Sequence, residues 1–302
     1  MAYDVIIVGG GPGGLTAAIY ACRAGQKTVL LEMGAPGGQA ATTDIIENYP
    51  GFPEGIAGPE LMLSFYNQAA RFGCEFITAE VTGVSAKNGL KFVETNQNNV
   101  EGKAVIIATG ASPRELGVKG EKEFRGKGVS FCATCDGFFF KGKKVAVIGG
   151  GDSAVKEAIF LAKLAGEVTI IHRRAEFRAA KVLSDKIKEI NNIRVIWDSV
   201  VDEMFGGNRL EKIAIHNVKT QEATQIEMEG VFLYVGTQPN TAFLHSAFTR
   251  NAQGYLLTDE NLQTSVAGVF AIGDCRAKLS RQVASAVGDG AGVLAAIEEL
   301  SN

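Results

Sequence analysis

Two cysteines separated by two residues carry the clearest redox chemistry in this sequence. Cys132-Ala133-Thr134-Cys135 is the one CxxC among 302 residues, which include five cysteines. Two intervening residues allow the sulfur atoms to meet, and such motifs depress the pKa of one thiol toward neutrality. Asp136 follows at once and can pass protons to and from a thiolate if its own pKa is raised. The motif therefore favours a reversible dithiol/disulfide with an adjacent acid.

The CxxC pair has two other interpretations. A structural zinc site needs about four ligands, but there is no second CxxC and the three histidines are scattered singly, so no metal site is predicted. The two cysteines can also be buried residues that only pack, and Asp136 can be a turn residue with Gly137. The reversible dithiol fits best. Cys22, Cys74 and Cys275 belong to no CxxC motif. Cys22 falls in an apolar helix and is expected to pack in the protein core.

Glycine is concentrated in two clusters that repeat at an offset of 140 residues. The chain has 37 glycines in 302 residues, well above the usual share of about 7%. The first cluster, residues 9–14, follows the strand-like residues 5–8. The second, residues 149–151, follows residues 145–148. The offset aligns residues 5–32 with 145–172 without a gap, which indicates an internal repeat.

Each copy of the repeat predicts a strand, a glycine turn, a helix and a second strand. The helix and second strand are predicted at residues 12–24 and 27–31 in the first copy, and at 152–164 and 167–171 in the second. This is the βαβ dinucleotide-binding unit, whose glycines let a pyrophosphate approach the helix N-terminus. Glycine turns without a ligand are the alternative, and two correctly framed copies argue against it.

The two copies differ at the residue that selects the dinucleotide. Glu32 ends the first copy, where an acid is expected to bond ribose hydroxyls. Its counterpart is His172, followed by Arg173 and Arg174, with Arg178 further on. Guanidinium groups bind a 2′-phosphate that an acid would repel. The first copy is therefore expected to hold FAD or NAD and the second NADPH, unless the basic residues are only a solvated strand end.

Other segments are expected to complete these units. Residues 104–107 and 268–272 are predicted as strands of the first sheet, and 281–296 as a helix whose three glycines we expect near a flavin. Asp274 either binds a polyol such as a ribityl chain or caps a turn. Segment 76–100 alternates, as in Cys74-Glu75-Phe76-Ile77 and Leu90-Lys91-Phe92-Val93, and this alternation predicts short antiparallel strands.

Composition and charge exclude several classes of protein. The 30 basic and 33 acidic residues give a net charge of −3, which does not suggest a nucleic-acid or membrane-surface protein. No apolar stretch approaches the length of a transmembrane helix, and the start lacks the features of a secretory signal. The low, odd cysteine count favours a reducing compartment. We therefore expect a cytoplasmic protein.

Together these features predict an oxidoreductase. Electrons enter from NADPH as hydride, whereas disulfides are reduced by thiolate exchange. A flavin accepts hydride and can reduce a disulfide, so FAD belongs between them.

The sequence resembles the low-molecular-weight, bacterial-type thioredoxin reductases over essentially its whole length. The most specific matches are residues 131–139, residues 149–154, His172-Arg173-Arg174 with Arg178, and Gly273-Asp274 with Arg281-Gln282. The resemblance implies an α/β fold of two Rossmann-like, three-layer ββα domains, with the NADPH-binding domain inserted into the FAD-binding domain. Turn signals near residues 115 and 245 mark the crossings. The FAD domain is then expected at residues 1–114 and 245–302, and the NADPH domain at 115–244.

The resemblance also implies roles for individual residues. Family members are FAD-containing homodimers that reduce oxidised thioredoxin with NADPH and rotate the NADPH domain between half-reactions. Cys132 would attack thioredoxin, Cys135 would lie nearer the flavin, and Asp136 would be the general acid. Phe138 and Phe139 would grip the partner, unless they only pack in the core. The implied FAD contacts are Gly9, Gly11, Pro12, Gly14, Glu32, Gly38, Gln39, Thr43, Asn48, Val81, Gly110, Gly273, Asp274, Arg281, Gln282 and Ala284. The NADPH contacts are Gly149, Gly151, Asp152, Ser153, Ala154, His172, Arg173, Arg174, Arg178 and Gly236.

Two other hypotheses compete with a thioredoxin reductase. One is a flavin reductase that acts on another redoxin-like partner or on a quinone. The other is a non-catalytic NADP(H)-binding protein whose cysteines merely pack. The intact CxxC and the second glycine turn argue against the latter.

Overall fold

The chain forms two units, the second of which is inserted into the first. The computed structural model describes residues 2–43, 45–87 and 89–299. The first unit comprises residues 1–112 and 238–302, and the second comprises residues 113–237. Residues 238–244, which the sequence assigned to the inserted domain, belong to the first unit, where Leu244 packs with Phe248 and Leu256.

The elements of the first unit alternate between strands and helices. Its helices are α1 (Pro12–Arg23), α2 (Gly58–Arg71) and, after the insertion, α6 (Val283–Glu299). Its strands are β1 (Tyr3–Val8), β2 (Thr28–Glu32), β3 (Glu75–Thr78), β4 (Val81–Lys87), β5 (Leu90–Thr95), β6 (Val100–Ile107) and β17 (Val269–Ala271). Two connecting strands, β7 (Ala111–Pro113) and β16 (Thr237–Pro239), pair with each other where the chain passes between the units.

The second unit repeats this plan. Its helices are α3 (Ala133–Asp136), α4 (Asp152–Leu161) and α5 (Lys181–Ile187). Its strands are β8 (Val129–Ser130), β9 (Lys144–Ile148), β10 (Glu167–Ile171), β11 (Ile193–Ile196), β12 (Ser199–Gly206), β13 (Leu210–Asn217), β14 (Ala223–Glu227) and β15 (Gly230–Leu233).

A parallel sheet divides the first unit into two cores. Its strands lie in the order β3-β2-β1-β6, with β17 beside the second half of β6 and the antiparallel β5 and β4 beside the first half. Side chains alternate across a strand, so Val5 and Ile7 pack with α1 and α6, whereas Ile6 and Val8 pack with β4 and β5.

The second unit has the same layers. Its parallel strands lie in the order β11-β10-β9-β15-β8. Val145 and Val147 face α4, and Ala146 and Ile148 face the antiparallel sheet β12-β13-β14. Each unit is therefore a three-layer ββα structure, which confirms the predicted fold class.

One strand prediction is wrong. Residues 75–78 form β3, which pairs with β2 in parallel and not antiparallel. Helix α2 lies between β2 and β3, and a helical crossover returns the chain in the same direction as it left. The antiparallel prediction is confirmed for β4, β5 and β6.

Helix α6 packs directly on α1. A Cβ at Gly290 would lie 2.5 Å from the carbonyl oxygen of Gly13 and 2.9 Å from Cβ of Thr16. Close helix packing thus accounts for this glycine, and the flavin contact expected for the three glycines of α6 stays a prediction. Among the described residues, none of the helices has the length and apolar character to cross a membrane.

Candidate active site

Cys132 and Cys135 form a disulfide at the start of α3. Their Cα atoms are 5.3 Å apart, and both residues are half-buried. The backbone N–H of Cys132 donates to Oγ of Ser130 over 3.1 Å, and that of Ala133 donates to the hydroxyl of Tyr234 over 2.6 Å. The disulfide loop is therefore held by the residues that end β8 and follow β15.

The predicted acid lies within the same turn of helix. The hydroxyl of Ser130 donates a 2.6 Å hydrogen bond to Oδ2 of Asp136. One hydroxyl thus holds both the backbone of Cys132 and the carboxylate. This fixes the acid beside the disulfide, as proton transfer during thiol exchange requires.

Two aromatic rings that follow the disulfide in the chain are exposed. Phe138 and Phe139 lie in the 3-10 helix Gly137–Phe140 and are 54% and 46% exposed. Phe140, the next residue, is buried against Phe232. Simple core packing therefore explains Phe140 but not its two predecessors.

The disulfide and the second glycine turn lie at the same edge of their sheet. Strands β8, β15 and β9 are parallel neighbours. Residues that follow them, namely Cys132, Tyr234 and Gly149, must therefore lie at the carboxyl edge, where open α/β sheets bind their ligands.

The second turn leaves an open cradle at the start of α4. Gly149 has φ of +146°, and a Cβ there would lie 2.5 Å from the carbonyl oxygen of Tyr234. Among the described residues, a Cβ at Gly151 would meet nothing within 4 Å, and no side chain caps the helix. Asp152 turns away from the cradle, because its Oδ1 accepts from the N–H of Ala180 over 2.8 Å. Free N–H groups at a helix N-terminus favour a phosphate; Ser153 is exposed there and Ala154 is buried.

Three arginines flank this cradle. Arg173 and Arg174 follow β10, and the N–H of Arg178 donates to the carbonyl of Gly150 over 2.7 Å, so all three lie beside the turn. Their side chains are exposed, and they form no ion pair within the described part of the chain. Gly236, further along the same edge, accepts from the N–H of Arg114 over 2.9 Å.

His172 lies beneath the turn rather than in the cradle. It is 4% exposed, it stacks on Phe177, and its ring occupies the space that a side chain at Gly150 would need. Burial lowers the pKa of His172, and the charges of Arg178, Arg174 and Arg173 lower it further. The structure therefore places His172 directly beneath the turn, where its ring supports Gly150; its contact with NADPH stays a prediction.

The first glycine turn repeats the geometry of the second, with Glu32 where the second has His172 and its neighbouring arginines. A Cβ at Gly11 would again meet no described atom within 4 Å, and Pro12 begins α1. A Cβ at Gly14 would overlap the carbonyl of Gly9. Glu32 accepts from the N–H of Gly10 over 2.7 Å, which holds the acid at the end of β2 beside the turn.

The remaining predicted flavin contacts lie around the carboxyl edge of the parallel sheet in the first unit. Gly38 packs against Gly11, and Nδ2 of Asn48 donates to Oε1 of Gln282 over 3.0 Å. The others are Gln39 in the 3-10 helix Gly38–Thr42, Thr43 after it, Val81 at the start of β4, Gly110 after β6, Gly273 after β17, and Ala284 in α6.

Two buried polar atoms of the first unit have no hydrogen-bond partner in the part of the chain that the structure describes. Oδ1 of Asp274 and Nε of Arg281 are buried and accept or donate no hydrogen bond among the described residues. Burial raises the pKa of Asp274, against the opposing charges of Lys278 and Arg281. Buried polar groups are nearly always hydrogen-bonded, so these atoms fit a polar ligand such as the ribityl and phosphate groups of FAD.

The sequence matches the model of the pyridine nucleotide-disulphide oxidoreductases over residues 3–290. The chain belongs to this family. It is 42% identical to a thioredoxin reductase of Bacillus subtilis (strain 168) over 95% of this chain and 91% of that protein. It is 44% identical to one of Rickettsia conorii over 97% and 96% of the two chains. The crystal structure of thioredoxin reductase from Streptococcus pyogenes MGAS5005 aligns with a TM-score of 0.91 at 44% identity, over 99% of this chain and 97% of that one.

The structure of this oxidoreductase adds residues that the sequence did not indicate. Asp289 of α6 accepts from the N–H of Gly273 over 2.9 Å, from Arg276 over 3.0 Å and from Lys278 over 3.0 Å. Burial acts to raise the pKa of Asp289, but the hydrogen bonds from both cations more than offset it, so the pKa lies below its ordinary value. This carboxylate holds the loop that carries Asp274. An acid in the middle of an apolar helix was the signal for it.

A second missed group lies behind the disulfide of the oxidoreductase. Burial raises the pKa of Tyr234, and the charges of Glu157 and Asp136 raise it further. Burial also raises the pKa of Glu157 in α4, and the Oε2 atom of Glu157 has no hydrogen-bond partner among the described residues. Tyr234 therefore stays protonated and holds Ala133. Within the described residues no cluster of side chains suits a metal ion.

Proposed function

We propose that the protein is a thioredoxin-disulfide reductase that uses NADPH and FAD. The observation that carries the proposal is the Cys132–Cys135 disulfide, with Asp136 fixed beside it. It lies on the same sheet edge as a glycine turn flanked by three arginines. The family membership and the names of the relatives support the same reaction.

The first unit is proposed to hold FAD. The open cradle at Gly11 suits its pyrophosphate, Glu32 suits the adenosine ribose, and the unpartnered atoms of Asp274 and Arg281 suit its polar chain. Asn48 and Gln282, already joined to each other, complete the set at that edge.

The second unit is proposed to hold NADPH. The cradle at Gly151 suits the pyrophosphate, and Arg173, Arg174 and Arg178 suit the 2′-phosphate, because guanidinium pairs with phosphate through parallel donors. His172 supports the turn from below.

The thiols then complete the reaction. A flavin bound in the first unit would supply the hydride acceptor for NADPH and the two electrons that reduce the Cys132–Cys135 disulfide to two thiols. The Cys132 thiolate attacks the disulfide of thioredoxin and forms a mixed disulfide, and Asp136 protonates the released thiolate. The Cys135 thiolate then attacks Sγ of Cys132, which releases reduced thioredoxin and restores the Cys132–Cys135 bond. Phe138 and Phe139 are proposed to contact the partner around this step.

Three further points belong to the proposal and rest on the resemblance. The protein is a homodimer, and its units rotate between the half-reactions. The protein acts in the cytoplasm, because a thiol reductant driven by NADPH suits that reducing compartment.

The experiment that tests the proposal is turnover of oxidised thioredoxin with NADPH by the purified, yellow protein. Cys135→Ser is expected to abolish turnover while flavin absorbance and its bleaching by NADPH persist. Unchanged turnover would exclude the disulfide from the reaction. Cys275→Ser is the matched control for loss of a single thiol, and a panel of other redoxins and a quinone tests the alternative acceptors.

A further inference from the structure

An acidic residue lies beside the arginines of the second glycine turn. Asp198 connects β11 to β12, and its backbone N–H donates to the carbonyl oxygen of Arg174 over 3.2 Å. The next N–H, that of Ser199, donates to the carbonyl oxygen of His172 over 3.0 Å. The two segments meet because β10 and β11 are parallel neighbours and end at the same edge of the sheet. A carboxylate is thus fixed next to the loop that is proposed to bind a phosphate.

An unpaired carboxylate at this place would oppose phosphate binding. It would repel the phosphate, and it would compete for a guanidinium group, because arginine pairs with carboxylate and with phosphate through the same donors. The Asp198 carboxylate is instead paired with Lys219, whose Nζ lies 2.9 Å from its Oδ2. In the part of the chain that the structure describes, no arginine forms an ion pair with Asp198. The Asp198 side chain is only 17% exposed, so water screens this carboxylate little.

The turn between β13 and β14 places Lys219 beside Asp198. Oδ1 of Asn217 accepts from the N–H of Lys219 over 2.9 Å and from that of Thr220 over 3.0 Å, which fixes the turn. The N–H of Val218 donates to the carbonyl oxygen of Asp198 over 2.6 Å. The turn therefore binds Asp198 through its backbone and through its side chain.

The backbone of Asp198 explains why this residue is suited to the position. Its φ is +51°, in the left-handed region that asparagine and aspartate adopt more readily than other residues with a side chain. Such a conformation persists where neighbouring contacts determine it, and here two backbone hydrogen bonds do so. The preceding residue, Trp197, packs on Phe177 of the arginine loop with 4.6 Å between the ring centroids.

We propose that Asp198 and Lys219 are positioning residues for the selection of NADPH. The backbone of Asp198 anchors the arginine loop, and Lys219 holds the Asp198 carboxylate, so that the guanidinium groups of Arg173 and Arg174 stay available to the 2′-phosphate. The inference rests on the proposed NADPH site of the second unit. It assigns a role in nucleotide selection to two residues that themselves do not contact the nucleotide.

The test is a calorimetric titration of the FAD-loaded protein with two matched probes. These are 2′-phospho-ADP-ribose and ADP-ribose, which differ by the 2′-phosphate alone and lack the nicotinamide that would reduce the flavin. In Lys219→Ala we expect Kd for the phosphorylated probe to rise about five- to tenfold, because the released carboxylate repels the phosphate and competes for Arg174. Kd for ADP-ribose should change by less than about twofold, since the loop itself is intact.

A second variant separates the charge of Asp198 from its backbone role. Asparagine adopts the same left-handed conformation and keeps the backbone hydrogen bonds. Lys219→Ala/Asp198→Asn should therefore bind the phosphorylated probe within about twofold of the wild type. Lys212→Ala is the matched control, because Lys212 is exposed on β13 and donates to Gln225, so its loss removes one positive charge without releasing a carboxylate.

Three results would overturn the proposal, and they are distinguishable. An unchanged Kd for the phosphorylated probe in Lys219→Ala would remove Lys219 from nucleotide selection. A loss that persists in Lys219→Ala/Asp198→Asn would make Lys219 itself the phosphate ligand or show that the turn no longer folds. A wild-type protein that binds both probes equally would refute the proposed NADPH site, and this proposal with it.

Discussion

The hydroxyl of Ser130 donates to Asp136 over 2.6 Å and accepts from the backbone N–H of Cys132 over 3.1 Å. A single side chain thus couples the position of the acid to that of the disulfide. We expect Asp136→Asn to retain this bond but to lose the titrating group. Turnover of thioredoxin should then fall by about 10²- to 10⁴-fold, the usual worth of a general acid. Stopped-flow reduction of the flavin by NADPH should not change, and equal loss in both half-reactions would refute the role.

The arginines beside the second glycine turn should select NADPH over NADH. In Arg173→Ala/Arg174→Ala we expect KM for NADPH to rise by about 10- to 100-fold, because charge-assisted hydrogen bonds are worth about 1.5–3 kcal/mol. KM for NADH should change little. Arg194→Ala is the matched control, since that exposed arginine pairs with Glu167 in the same unit. Equal losses with both nucleotides would exclude a phosphate contact.

Tyr234 should stabilise the disulfide loop from below. Tyr234→Phe leaves the N–H of Ala133 without its acceptor, and an unsatisfied buried donor costs about 1–3 kcal/mol. Trp197 is the single tryptophan and lies in the second unit, so its fluorescence during urea unfolding reports that unit. We expect Tyr234→Phe to lower the urea midpoint reported by Trp197. Tyr20→Phe, which alters an exposed ring of the first unit, should leave that midpoint unchanged.

His172 should make the second unit less stable in acid. Its pKa in the folded protein lies below the ordinary value of 6.5, so the unfolded chain takes up a proton first as the pH falls. The free energy of unfolding should therefore decrease as the pH drops below about 6.5. His172→Gln removes this contribution, so its urea midpoint, followed by Trp197, should depend less on pH than that of the wild type. Parallel pH profiles would contradict the prediction.

The exposed rings at 138 and 139 should matter for the protein partner alone. We expect Phe138→Ala/Phe139→Ala to raise KM for thioredoxin by about tenfold or more, since buried aromatic anchors at interfaces are worth 2 kcal/mol or more. Reduction of the flavin by NADPH should be unaffected. Val182→Ala is the control, because Val182 is an exposed apolar residue of the same unit. An unchanged KM for thioredoxin would remove both rings from the interface.

Much of the site could be predicted because its signals are local. A glycine turn between a strand and a helix is required by backbone geometry within about ten residues, and the repeat at residues 5–32 and 145–172 showed it twice. The difference between Glu32 and Arg173-Arg174 could be predicted for the same reason, because each lies at or just after the end of the second strand of its own local βαβ unit. The direction of β3 was not, because it depends on the crossover through α2 rather than on the alternation of its own side chains.

The sequence by itself determined the two βαβ units, their different terminal residues and the CxxC pair. The tertiary structure decided which distant residues meet: Tyr234 with Ala133, Asp289 with Arg276, and Asn48 with Gln282. It also decided that the disulfide and the second glycine turn share one sheet edge. These outcomes depend on strand order and helix packing, which follow from burial of side chains contributed by the whole chain, and no single segment carries that information.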